Sequence, residues 1–125
     1  MPVDTTHPLY DDNLSDWTKC RDAYDGQKSI KARGATYLPR LDGQEDADYD
    51  AYKTRALFYN ATFRTVQALV GSVFRKNPEN KVPDGIKKIL GHIGSKRESF
   101  DSVAREVVRE ILIEGRVGLY VDAPP

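Results

Sequence analysis

A chain of 125 residues that is 39% hydrophobic and 30% charged has the composition of one ordinary globular domain, which excludes a wholly disordered chain and a membrane-embedded one. Nineteen Lys plus Arg balance nineteen Asp plus Glu, so no net field holds the chain on a polyanion or an anionic lipid surface, and any nucleic-acid role has to rest on local patches. Cys20 is the single cysteine and His7 and His92 are the two histidines, which excludes a disulfide framework and a Cys-rich zinc site and fits a reducing compartment.

The opening MPVDTTHPLYDDN lacks a basic region followed by an apolar run, and no apolar stretch approaches the roughly 20 residues that span a bilayer. Residues 1–60 hold eleven acidic and eight basic side chains, whereas 61–125 hold eight and eleven, a shift from −3 to +3. Scattered surface charge explains that difference, and head-to-tail packing of neighbouring subunits would also use it.

In chain order, Pro2 and Pro8 mark residues 1–10 as an extended arm. Trp17, Cys20 and Tyr24 then recur at helical spacing from about Asp12, and Gly26 ends this short helix. Cys20 shares that apolar face with Trp17 and is expected to be a small buried hydrophobe. Segment 28–41 (Ile30, Gly34, Tyr37, Leu38, Pro39) has no 3.6-residue repeat and reads as extended, with a weak hairpin around Gly34.

From Glu45 the positions Tyr49, Tyr52, Ala56, Tyr59, Phe63, Val66, Val70 and Val73 or Phe74 step by three or four, and no proline intervenes before Pro78. The expectation is one long amphipathic helix over about 46–76, a rod of roughly 40 Å at 1.5 Å per residue. Asp46, Asp48 and Asp50 near its start and Arg75 and Lys76 near its end suit its dipole. A short helix over about 84–90 follows, holding Ile86, Ile89 and Leu90. Ser99 then caps a helix over about 100–114 whose stripe is Phe100, Val103, Ala104, Val107, Ile111 and Leu112, and Gly115 stops it.

RVGLYVD, about 116–122, has the composition of a strand. A strand needs a partner, so the expectation is that the chain is part of a longer one or that another subunit completes the pairing. The organisation is thus 1–44, an arm, short helix and extended segment, followed by 45–125, a helical portion. The fold class is mainly α, with extended N-terminal segments and a short C-terminal β-strand.

Enzyme signatures are missing. No glycines precede a Gly-Lys-Ser or Gly-Lys-Thr triplet, and nucleophile elbows, HExxH motifs and zinc-deaminase patterns are absent. The run Asp42, Glu45, Asp46, Asp48, Asp50 lacks EF-hand spacing and reads as a solvated first turn, so no metal and no cofactor is expected. His92, between two glycines, and His7 in the arm have no second ligand nearby. Asn60-Ala61-Thr62 matches a glycosylation acceptor by chance in the middle of a helix. The aromatics concentrated in 49–74 have helical spacing, which makes them a packing face rather than a base-stacking platform. Arg55, Arg64, Arg75 and Lys76 alternate with polar residues as a solvated or interface face.

The order of these segments carries a resemblance. Trp17, Arg21 and Asp22 in a first helix are followed by KARGATYLPRL and DYDAYKTRALFYNATFRTVQALVGSVFRKNP, then by a helix ending GRVGLYVDAP. Its most specific pieces are Tyr59-Asn60 with Arg64-Thr65 running into Gly71, Phe74, Arg75, Lys76 and Pro78, and the turn Gly115-Arg116-Val117-Gly118. Over nearly its whole length the chain resembles the N-terminal part of tailed-phage portal-like proteins. The resemblance implies a structural virion protein, not an enzyme, corresponding to the wing portion of a subunit in a homo-oligomeric ring, commonly a dodecamer, at a capsid vertex.

DNA would be packaged and ejected through that ring, with capsid protein, terminase and a tail adaptor as partners and assembly in the host cytoplasm. Portal subunits are several-fold longer than 125 residues, so the resemblance also implies a fragment. Interface residues expected on this basis are Tyr52, Tyr59, Asn60, Phe63, Arg64, Phe74, Arg75, Lys76 and Arg116. The competing reading is a small adaptor or connector-type binding module completed by partner subunits.

Overall fold

The structure, a computed structural model, describes residues 4–93 and 98–120. Among these the fold is all-α: α1 Pro8–Asp25, α2 Gln27–Ala32, a 3-10 turn Gly34–Thr36, α3 Asp46–Arg55, α4 Ala61–Val73, α5 Asp84–Lys87 and α6 Phe100–Glu114. The chain divides into two compact units, 1–64 and 65–125, with the division inside α4.

In the first unit α1 starts earlier than its apolar pattern suggests. His7 is its N-cap, with Nδ1 accepting from the Leu9 N–H at 3.2 Å, and Pro8 occupies the first turn, where a missing N–H costs nothing. The described part of the expected arm is thus shortened to the residues before Pro8. Trp17 packs half-buried against Tyr10, ring centroids 5.4 Å apart. Cys20, expected inside beside Trp17, is exposed.

Gly26 ends α1 with φ 84° and ψ −150°, and its carbonyl accepts from Ile30 as α2 begins. Of residues 28–41, expected to be extended, 28–32 belong to α2 and 34–36 form the 3-10 turn, while 37–41 are irregular. Buried Ile30 gives α2 an inward face, but one large apolar residue in six is too little to show as periodicity.

The expected rod over 46–76 is two helices separated by the non-helical segment 56–60. Ala56 leaves the helical region, at φ −56° and ψ 131°. Three tertiary bonds hold the break. Lys31 Nζ donates to the Thr54 carbonyl at 2.7 Å, the Gln27 side-chain oxygen accepts from the Phe58 N–H at 3.4 Å, and Asn60 Nδ2 donates to the Tyr24 carbonyl at 2.7 Å. Lys31 and Asn60 thereby satisfy carbonyls that the last turns of α3 and α1 leave open. Asp46 and Asp48 do lie in the first turn of α3, whereas Arg75 and Lys76 fall beyond the end of α4 rather than in its last turn.

In the second unit Val66, Val70 and Ile113 are the buried apolar side chains. α6 matches its expected span. Ser99 Oγ accepts from the Ser102 N–H, and Gly115 closes the helix at φ 77°, in the left-handed region that favours glycine. α5 is shorter than expected, Asp84–Lys87, with turns continuing to Leu90. Residues 116–120, expected to begin a strand, form none: a strand exists only by pairing, and no backbone ladder engages them among the described residues. The remaining part of that expected strand, 121–122, lies outside the described residues.

Candidate functional site

The break between α3 and α4 gathers four of the residues singled out from sequence. Asn60 sits immediately before α4, and its Oδ1 accepts from the Phe63 N–H at 2.8 Å while its Nδ2 holds Tyr24. One amide thus caps the start of α4 and the end of α1 together. Phe63, one turn into α4, leans on Tyr24 with centroids 5.3 Å apart at 46°. Arg64 lies over the Tyr59 ring at 5.1 Å, its Nη1 3.4 Å from the tyrosine hydroxyl.

The outward side of this corner is apolar and aromatic. Leu57 is 89% exposed and Tyr59 71%, values that rule out a core role for either. Phe63 keeps 43% of its surface, so the Tyr24 contact buries one side of the ring and leaves the other open. Beside it a groove of about 230 Å³ is lined by Ile30, Tyr37, Leu38, Ala56, Leu57 and Phe58. Such a corner can receive apolar side chains and a carboxylate at Arg64.

Tyr52 lies apart from it, on α3, with its ring 6.3 Å from Tyr49. Lys53 stands 4.7 Å over the Tyr49 ring, and the hydrogen bond it donates to Asp50 raises its pKa above the usual lysine value. In the second unit Phe74 is half-buried under the Arg105 guanidinium at 4.6 Å. Arg75 and Lys76 are exposed in the turn that follows, and Arg116 is exposed after α6.

One grouping was not visible in the sequence as a site. Asp22, 6% exposed, accepts from Arg33 Nε at 3.0 Å and from the Tyr37 hydroxyl at 2.8 Å. This buried carboxylate ties α1 to the segment that follows α2. Burial, then the bond to Asp22, pushes the Tyr37 hydroxyl pKa up. Its partners lie 11 and 15 residues downstream, beyond any helical spacing rule, so no local pattern announces them. An open depression next to it is bounded by Asp11, Lys19 and Thr36.

Among the described residues no group of three or more His, Cys, Asp or Glu is placed to hold a metal ion, and no helix is long and apolar enough to cross a membrane. The fold and this corner define a small all-α protein with exposed aromatic and aliphatic side chains. Comparison with known protein families, with curated proteins and with solved structures finds no match.

Proposed function

We propose that this chain is a structural assembly protein, the N-terminal part of a portal-like subunit that joins copies of itself in a ring at a phage or prophage capsid vertex. The observation that carries the assembly reading is where the large apolar side chains lie. Among the described residues none is fully buried, while Leu57, Tyr59, Leu69, Val73, Ile89 and Leu119 are all exposed. Apolar area left in water is a standing cost of roughly 25 cal/mol per Å², and association with another protein surface recovers it. The order of segments from Trp17 to the Gly115-Arg116-Val117-Gly118 turn directs this reading toward portals rather than another assembly.

In this role the chain performs no bond chemistry. The corner at Asn60, with Tyr59, Phe63 and Arg64, offers one contact face, and Phe74, Arg75 and Lys76 offer another. The test is imaging of the complete natural polypeptide by negative stain. Rings with a central opening support the proposal, whereas discrete small particles overturn it in favour of an adaptor-type module completed by a partner.

A further inference from the structure

Two surfaces of this chain complement each other. In the first unit a depression of about 270 Å³ is lined by Pro39, Leu41, Gln44 and Tyr52, and Leu41 is 73% exposed at its edge. That volume lies below the roughly 300–1,000 Å³ of most small-ligand pockets and suits a protein side chain better. Its surroundings are acidic. Asp42 adjoins Leu41, Glu45 adjoins Gln44, and Asp48 lies one helical turn from Tyr52 on α3. All three are exposed and form no ion pair among the described residues, whereas Asp46 and Asp50 are already engaged by Arg40 and Lys53.

In the second unit α5 and the turn after it expose Ile86 and Ile89, the latter at 56%. Lys87 and Lys88 lie between the two isoleucines, and Lys81 lies five residues before Ile86. Lys81 and Lys88 are exposed and form no ion pair among the described residues, while Lys87 is held by Asp84 at 2.7 Å.

We infer that the acid-rimmed depression at Leu41 and Tyr52 of one copy receives the lysine-flanked Ile86–Ile89 segment of a second copy. The inference rests on the assembly reading above and names one of its contacts. Charge complementarity argues for the occupant. Among exposed charges without an ion pair among the described residues, Asp42, Glu45 and Asp48 outweigh Arg55 at the first surface and Lys81 and Lys88 outweigh Glu79 at the second, so the net signs are opposite, and within a single chain Leu41 and Ile89 both stay open to solvent. Two different surfaces on one chain make a head-to-tail contact, which repeats from copy to copy and closes into a ring or runs into a filament.

The test is charge reversal in the complete natural polypeptide. One variant carries Asp42→Lys with Glu45→Lys, and the other Lys81→Glu with Lys88→Glu. The substituted residues are exposed, and circular dichroism checks that helix content is kept. By sedimentation, each variant alone should associate about tenfold or more weakly than the parent, because like charges then face each other across the contact. An equimolar mixture should recover the parent's association, since each reversed surface meets its new complement, and raised salt should weaken the parent.

Variants that associate like the parent, or a mixture that does not recover, overturn the contact. If the parent forms rings in that case, the portal reading stands without this contact. A parent that stays monomeric overturns both. Carbodiimide coupling of mixed isotope-labelled and unlabelled parent gives a second measurement that needs no variant. Mixed-label links between residues 42–48 and Lys81 or Lys88 are expected, and links confined to one label overturn the inference.

Discussion

The Asn60 side chain donates to the Tyr24 carbonyl across 36 residues of sequence at 2.7 Å, and with its other amide atom caps α4. Asn60→Ala removes both bonds, and a lost N-cap with a lost tertiary bond should cost about 1–3 kcal/mol. Asn60→Asp keeps the cap acceptor and loses the donor to Tyr24, so its cost should fall between wild type and the alanine variant. Urea unfolding of the three proteins checks the order, and equal costs for Asp and Ala would show that the cap contributes nothing.

Gly26 stands where that close approach occurs. A Cβ there would lie 2.5 Å from Asn60 Nδ2, in a backbone region that is nearly glycine-only. Gly26→Ala should therefore destabilise by about 2–4 kcal/mol, part from backbone strain and part from displacing the Asn60 amide. In an Asn60→Ala background the steric part disappears, so the same substitution should cost measurably less. A double-mutant cycle reads that coupling, and strict additivity would show that the two residues do not press on each other.

Asp22 anchors the segment after α2 through Arg33 and Tyr37. Asp22→Ala strands both donors and should cost about 2–3 kcal/mol, within the range for hydrogen bonds to a charged group. The figure stays below that of a fully buried ion pair because Arg33 keeps half its side chain in water. Thermal unfolding measures it. Hydrogen exchange should also show amides of 33–38 losing protection ahead of those in α6.

The Tyr37 hydroxyl has its pKa raised above the ordinary tyrosine value, so it holds its proton in the folded protein at a pH where the unfolded chain has released it. Stability from this group is complete below about pH 10, the unfolded value, and is lost as pH rises through the folded one. Melting temperature followed from pH 8 to 12 should show this alkaline loss. Tyr37→Phe should lower the neutral-pH value modestly and flatten that part of the profile, and an unchanged slope would remove Tyr37 as its source.

Phe63→Ala separates core from interface. A fully buried phenylalanine costs about 3–5 kcal/mol to truncate, but Phe63 has one open side, so about 1–2 kcal/mol is expected for the isolated chain. Association of the complete polypeptide should fall more than that loss of stability accounts for. Calorimetry together with sedimentation compares the two, and a cost of 4 kcal/mol with association intact would place the ring in the core.

The sequence by itself determined the elements whose signals are local. α6 could be read from the Ser99 cap to the Gly115 stop because both ends and the apolar stripe lie within one segment. Gly26 as the end of α1 and the acidic first turn of α3 were legible for the same reason.

Of the corner at the α3–α4 break, the residues Tyr59, Asn60, Phe63 and Arg64 were legible and their arrangement was not. Helical periodicity runs unbroken through 49–74, and the local signal against a continuous helix is the single N-cap residue Asn60, which periodicity outweighs. Only the tertiary structure decided otherwise, because the groups that hold the break open are Tyr24 of α1 and Gln27 and Lys31 of α2, far from it in sequence. The same reason hid the Asp22 grouping and left residues 28–41 without a helical signal. A six-residue helix shows too little periodicity to read, and its stability comes from the contacts that surround it.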